Sequence, residues 1–257
     1  MMNRVALITG STSGIGLGIA KHFAKEGYDI MFHGLENNGG EIAQSVAKEY
    51  NVKTSFSNAN MLEAEAIENL VKQTIETFGG LHILINNAGI QFVSPIEEFP
   101  NTKYENIIAI NMNAAFYASK AAWSQMKSQN FGRIINISSV HGLRASEYKT
   151  AYVAAKHGVI GMTKVMALEG ANHNITCNAI CPGYVKTPLV EGQIKDQAKA
   201  HDMSEEEVVE KVMLRKQAVK EFVPLKAIAD MALLLAKDSS TTITGTSFAL
   251  DGGWSAQ

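Results

Sequence analysis

Tyr152 and Lys156 stand four positions apart in a stretch of helical periodicity, and Ser139 lies thirteen residues upstream of the tyrosine, just past an apolar run of strand character. Residues at i and i+4 share one helix face, so phenol and ammonium project together. A tyrosine with a pKa of about 10 is a poor base at neutrality, but a neighbouring positive charge favours the phenolate and lowers that value. A serine hydroxyl can hold the oxygen of a reacting alcohol or carbonyl while the tyrosine takes or returns its proton. The expected chemistry is acid–base catalysis at a C–O centre, with a nicotinamide carrying the hydride. Tyr-x-x-x-Lys alone is common on helix surfaces, so the reading depends on what surrounds it.

Thr9-Gly10-Ser11-Thr12-Ser13-Gly14-Ile15-Gly16 follows the first strand-like run and opens the first helix-like one. Gly10 allows a sharp turn, Gly14 lets backbone approach a pyrophosphate, and Gly16 lets helix and strand pack closely. The helix N-terminus attracts phosphate charge, and Thr12 and Ile15 fall within the same cradle. Asn86-Asn87-Ala88-Gly89 closes the fourth strand at that edge, with amides to tie strand ends and small residues to leave room for a ribose or ring. Pro182-Gly183 ends the sixth strand; Val185 and Thr187 follow in a loop whose hydroxyl suits a carboxamide. At the end of the second strand, His33-Gly34-Leu35-Glu36-Asn37 contains no Arg or Lys, and Glu36 would repel a 2′-phosphate. NAD rather than NADP is the expected cofactor.

These residues need a scaffold that delivers them to one edge. Short β-rich runs near Val5–Ile8, Tyr28–His33, Lys53–Ser57, His82–Asn86, Arg133–Ile137, Thr176–Ile180 and Ser247–Leu250 alternate with longer amphipathic stretches. The latter span Gly16–Glu26, Gly39–Tyr50, Leu62–Phe78, Thr102–Ser128, Lys149–Asn172, Val190–Val219 and Pro224–Ala236. Nearly continuous apolar strands such as Val5-Ala6-Leu7-Ile8 are expected where both sheet faces are covered. The alternation predicts an α/β, doubly wound, seven-stranded parallel sheet with helices on both faces, and ligands outside the carboxyl ends of the strands. The chain has 257 residues, of which 46% are apolar and 19% charged, and one domain over residues 1–257 fits that size.

The balance of Lys+Arg 23 against Asp+Glu 25 speaks against a nucleic-acid binder or a polybasic membrane binder. No apolar run approaches the ~20 residues of a membrane helix. Cys177 and Cys181, four apart on one strand, would stand about 13 Å from each other, too far for a disulfide. The seven histidines show no zinc-ligand spacing, so no metal is expected. The first strand-like run begins by Arg4, which leaves no room for a leader peptide. A cytoplasmic protein acting on a small molecule is the expectation.

In chain order, Thr9–Gly16, Asn86–Gly89, Asn111, Ser139, Tyr152, Lys156 and Pro182-Gly183 resemble the motifs of the short-chain dehydrogenase/reductase family over essentially the whole length. The resemblance implies a Rossmann fold, a nicotinamide cofactor and a homotetramer. It implies Tyr152 as acid/base, Lys156 on the nicotinamide ribose and lowering the tyrosine pKa, Ser139 on the substrate oxygen, and Asn111 supporting a proton relay. Asn87, Ala88 and Gly89 would line the cofactor path. Asn60 and Met61 would stand by the adenine, Asn60 where the family often has Asp.

Gln91, His141 and Lys149 add hydrogen-bond donors around Ser139 and Tyr152, with Lys149, Tyr152 and Lys156 on one helix face. Gln193 and Lys195 begin a charged, helix-prone segment, Leu189–Lys220, in which Ser204-Glu205-Glu206-Glu207 reads as an N-cap with an acidic first turn. That segment is the expected substrate lid. Such donors suit a carboxylate, and the set resembles family members that oxidise short 3-hydroxy acids with NAD. Their carboxylate-binding residues correspond to Gln91, His141, Lys149 and Gln193, while Tyr184 stands where an indole is often found. Trp254 is read either as reaching a neighbouring subunit's site or as anchoring the tail. A reductase of carrier-bound 3-oxoacyl groups, a sugar dehydrogenase and a silent NAD-binding module are the competing readings.

Overall fold

The computed structural model describes residues 3–188, 190–192, 194, 198 and 203–256. The strand-like runs become β1 Val5–Ile8, β2 Asp29–His33, β3 Thr54–Ser57, β4 Ile83–Asn86, β5 Gly132–Ile137, β6 Ile175–Pro182 and β7 Ser247–Leu250. They form one sheet of order β3-β2-β1-β4-β5-β6-β7 in which all pairs are parallel. The order reverses between β1 and β4, which opens a crevice at their carboxyl ends, the usual ligand position in such sheets. β6 runs two residues beyond its expected end at Ile180, because Cys181 and Pro182 still pair with Ala249 and Leu250.

Around the sheet lie α1 Gly14–Lys25, α2 Gly39–Tyr50, α3 Ala64–Phe78, α4 Asn101–Ile108, α5 Ala114–Ser128, α6 Thr150–Gly170 and α7 Leu225–Ala236. Strand residues point alternately to opposite faces, and the two cores divide accordingly. Ala6 and Ile8 pack with Ile19 and Phe23 of α1, Val46 of α2 and Ile228 of α7. Leu7 turns the other way, onto Ile67 and Leu70 of α3, Ala118 and Ala122 of α5, and Ala167 of α6. Both cysteines are buried free thiols on β6. Among the described residues, no helix is long and apolar enough to cross a membrane.

Two long helices expected from periodicity are interrupted. The stretch Thr102–Ser128 contains a π-turn, Ala109–Asn113, between α4 and α5. Nothing in its composition (no Pro, no Gly) announces the break. In the segment expected as one helix over Val190–Val219, the described residues hold a short helix, Glu205–Val208, a π-turn, Val209–Met213, and a 3-10 turn, Leu214–Lys216. Ser204 and Glu207 form a reciprocal capping box at its start, as the sequence suggested.

The Gly-rich turn is set by two requirements. Gly10 adopts φ 62°, a left-handed conformation that favours glycine. At Gly16 the constraint is room: a Cβ there would stand 2.6 Å from Asn87 Nδ2 and closer still to Gly10 O. Gly16→Ala therefore forces α1 away from β1 and β4. Overpacking of this kind costs about 1–3 kcal/mol, which thermal unfolding should register as a lower midpoint. An unchanged midpoint would contradict the packing.

Candidate active site

Side chains tie the strand ends of the crevice together. Thr9 Oγ1 accepts from the backbone N–H groups of Asn87 at 2.9 Å and Ala88 at 3.0 Å. Asn87 Nδ2 returns bonds to Thr9 O and Gly10 O, each at 2.9 Å. His33, at the end of β2, accepts the Gly10 N–H at Nδ1, 2.9 Å, and bridges to Ala59 O from Nε2, 2.9 Å. The neutral ring has one acceptor and one donor nitrogen, which these two bonds use. Sequence reasoning passed over His33; its position directly before Gly34, opposite the Gly-rich turn, was the available signal. Deeper down, Asn86 Nδ2 donates to Asn136 Oδ1 at 2.8 Å, and Asn136 Nδ2 to Thr163 Oγ1 at 2.8 Å, locking β4, β5 and α6 in register.

Above these ties lies a cleft of about 420 Å³. Of the residues expected at a cofactor, Gly10, Thr12, Gly14, Ile15, Leu35, Asn60, Met61, Asn87, Ala88, Gly89, Tyr152, Lys156 and Thr187 line it. Gly183 and Val185 instead line the adjoining smaller pocket, which Ile15 and Thr187 share. Gly16 supports the turn from below, and Pro182 is the buried last residue of β6. Asn60 uses its amide to begin α3, donating to Glu63 Oε1 at 2.7 Å and accepting the Leu62 N–H at 3.1 Å. Glu36 reaches the Gly-rich turn, where Thr12 Oγ1 and Ser13 Oγ donate to its two carboxylate oxygens. The Thr12 hydrogen bond holds that carboxyl below its usual range. Among the described residues lining the cleft, Lys156 is the one cation.

The second pocket, about 110 Å³, gathers Gln91, Ser139, His141, Lys149 and Tyr152 from three different parts of the chain, with Tyr184 and Trp254 from two more. Gln193 lies outside the described residues. Two side-chain nitrogens there are buried with no hydrogen-bond partner among the described residues, Gln91 Nε2 and His141 Nε2. An unsatisfied buried polar atom costs about 1–3 kcal/mol unless something binds it. No Asp or Glu is among the described residues lining this pocket. Trp254 of this same chain closes one side, 5.3 Å from the His141 ring and stacked at 6.0 Å on Tyr184, so the tail lines the pocket of its own chain.

Electrostatics here follow from burial. Ser139 Oγ accepts the His141 N–H at 3.2 Å and lies 3.3 Å from His141 Nδ1. Burial, with Lys149 and Lys216 nearby, pushes the imidazole down to about 3, so it stays neutral. Burial and Lys216 bring Lys149 down to about 8, and burial brings Lys156 to about 8. The expectation that Lys156 lowers the Tyr152 pKa is not met. Lys156 Nζ donates to Ile137 O at 2.8 Å and stands 5.6 Å from the Tyr152 ring centre. Burial dominates instead and raises the phenol to about 12, opposed by a hydrogen bond from Ser139. Asn111, carried by the π-turn, clasps the backbone of Ile90 at 2.9 Å in both directions and lines a 10 Å³ void together with Lys156.

A doubly wound parallel sheet, a Gly-rich turn at its switch point and a Ser-Tyr-Lys set beside the cleft define a dehydrogenase of the Rossmann type. The chain belongs to the short-chain dehydrogenase family, which matches residues 4–198, and it is an oxidoreductase of a family that binds a nicotinamide cofactor. It is 46% identical over 258 residues, covering 100% of each chain, to the D-beta-hydroxybutyrate dehydrogenase of Rhizobium meliloti. The protein of that name from Cupriavidus necator is 43% identical, again over 100% of each chain. A crystal structure of actinorhodin polyketide ketoreductase with NADPH superposes with a TM-score of 0.93 at 29% identity, covering 99% of this chain and 98% of that one.

The pH dependence of stability follows from the two buried neutral histidines. Burial lowers His33 as well as His141. Unfolded, each would protonate near its usual value of about 6.5. Their contribution is therefore complete above about pH 6.5 and declines as pH falls, by up to about 1.4 kcal/mol per unit for each. Thermal unfolding between pH 7 and 5 should show the midpoint falling, and His141→Gln should flatten the fall. A midpoint independent of pH over that range would contradict it.

Proposed function

We propose that this enzyme interconverts (R)-3-hydroxybutyrate and acetoacetate with NAD. The observation that carries the reading is the small pocket beside Tyr152, in which two buried nitrogens and the Lys149 ammonium converge, with no partner for the nitrogens and no acid opposite them among the described residues. A carboxylate satisfies all three, since charge-assisted bonds to it are the strong ones. The volume of about 110 Å³ is well below the roughly 300–1,000 Å³ of pockets for drug-sized ligands, which favours a short acid. A carrier-bound thioester would leave these donors without an anion. The names of the relatives from Rhizobium meliloti and Cupriavidus necator support both the substrate and its hand.

In the oxidative direction, Tyr152 as phenolate takes the hydroxyl proton and Ser139 holds the same oxygen. Gln91, His141 and Lys149 grip the carboxylate, which fixes the carbon skeleton relative to Tyr152. For His141 to donate to the carboxylate, its single proton sits on Nε2, and the one Ser139 hydroxyl proton is left for the reacting oxygen. Gln193 we assign to the same anion, as the resemblance implies. A nicotinamide ring supplies the hydride chemistry when bound. The cleft residues from Gly10 to Gly89 would hold its dinucleotide, Lys156 its ribose, and Gly183, Val185 and Thr187 its carboxamide end. Asn111 and Lys156, facing one void large enough for about one water, would pass the proton outward. The ionised Glu36 at the Gly-rich turn disfavours a 2′-phosphate, hence NAD. Exposed Phe116 on α5 and Val165 and Leu168 on α6 suit the subunit contacts of a homotetramer.

Assays of both hands of 3-hydroxybutyrate with NAD and NADP test the reading directly; no turnover of the (R) acid with NAD would reject it. Tyr152→Phe should lower kcat by about 10²–10⁴-fold, the usual share of general acid–base catalysis, and near-native turnover would remove the assigned role. Lys149→Ala should raise KM for the acid by about tenfold or more, as loss of a charged hydrogen bond does, and leave the methyl ester much less affected. Because the ammonium titrates near 8, KM for the acid should rise above that pH. The rate of oxidation should rise with pH at the same time, since the phenolate becomes more abundant. A KM flat through pH 9 would count against the anion site.

A further inference from the structure

Lys149 is 7% exposed, and among the described residues its ammonium has one hydrogen-bond partner, the hydroxyl of Tyr184 at 3.3 Å. An ammonium has three donors, so the remaining ones are left for the pocket. The Tyr184 ring is itself clamped. Trp254 stacks on one side at 6.0 Å and 25°. Ile194, Val208 and Met213 of the segment after β6 form a buried cluster against it. Its backbone is pinned as well, with Tyr184 N donating to Gln217 Oε1 at 3.3 Å and Tyr184 O accepting from Val223 N at 2.8 Å. The phenol oxygen is thus a fixed acceptor facing a long, flexible cation.

We propose that Tyr184 is a positioning residue for the anion-binding ammonium. Held by Trp254 and the segment after β6, its oxygen keeps Lys149 Nζ at the pocket wall and so sets the preference for charged over neutral 3-hydroxy compounds. The proposal rests on the reading of the substrate as a short carboxylate. The role needs an acceptor: a phenyl ring has none, and an indole N–H is a donor only. Both would keep an aromatic face beside Lys149.

The test is steady-state kinetics of the full-length enzyme with (R)-3-hydroxybutyrate and with its methyl ester, for the native chain, Tyr184→Phe, Tyr184→Trp and Lys149→Ala. The ratio of kcat/KM for acid over ester should fall about fivefold to tenfold in both Tyr184 variants, the size of one ordinary hydrogen bond's net contribution. The loss should lie in KM for the acid rather than in kcat. Activity on the ester in the same preparations reports an intact fold. A native ratio in Tyr184→Phe overturns the proposal, as does a native ratio in Tyr184→Trp or an equal loss on acid and ester. If Lys149→Ala destroys the preference while Tyr184→Phe keeps it, the positioning role alone fails. If the native enzyme has no preference for the acid, the carboxylate reading fails with it.

Discussion

Desolvation at the carboxyl edge of the sheet is the constraint on which the site depends. Lys149, Lys156, His141 and Tyr152 all sit where water is scarce, and each is displaced toward its neutral form. Burial disfavours charge whatever its sign, so one cause lowers two ammonium groups and an imidazole while raising a phenol. The same burial leaves Gln91 Nε2 and His141 Nε2 without partners among the described residues. A pocket of this kind is costly to keep empty, and it rewards a ligand that brings a compact negative charge.

Such a pocket holds its shape only because the strand ends around it are fixed by side chains as well as by the ladder. Thr9, His33 and Asn87 bind backbone groups of neighbouring loops, and the Asn86–Asn136–Thr163 chain ties the sheet to α6. Each of these groups, buried apart from the half-buried Asn87, has a protein partner, so moving one loop would orphan several atoms together. The π-turn at Ala109–Asn113 belongs with them: the extra residue in that turn accompanies Asn111 in its clasp on Ile90.

Tyr184 and Trp254 show how distant parts of the chain meet on a small substrate. Trp254 comes from beyond β7, Tyr184 follows β6, and Lys149 opens α6. Their contacts connect the Lys149 end of the pocket to the apolar cluster of Ile194, Val208 and Met213. That cluster and the Lys149 ammonium therefore both touch one aromatic ring.

Residue type and spacing alone determined a good deal. β-rich runs marked all seven strands; the nearly continuous apolar ones, such as Val5–Ile8, stood out because strands covered on both faces carry few polar residues, whereas Thr54–Ser57 at the sheet edge is polar and only half-buried. Glycines at 10, 14 and 16 marked the turn, because the first two adopt a positive φ and the third has no room for a Cβ. The i, i+3, i+7 spacing placed Lys149, Tyr152 and Lys156 on one face. What the spacing could not yield was distance and dielectric. Lys156 is one turn from Tyr152, yet its ammonium goes to Ile137 O, a choice made by β5 and invisible along the helix. The rise of the phenol, the two buried nitrogens without a partner among the described residues, the contact of Tyr184 with Lys149 and the arrival of Trp254 at the pocket of its own chain all depend on which surfaces exclude water. That is a property of packing between segments remote in sequence, and only the folded chain decides it.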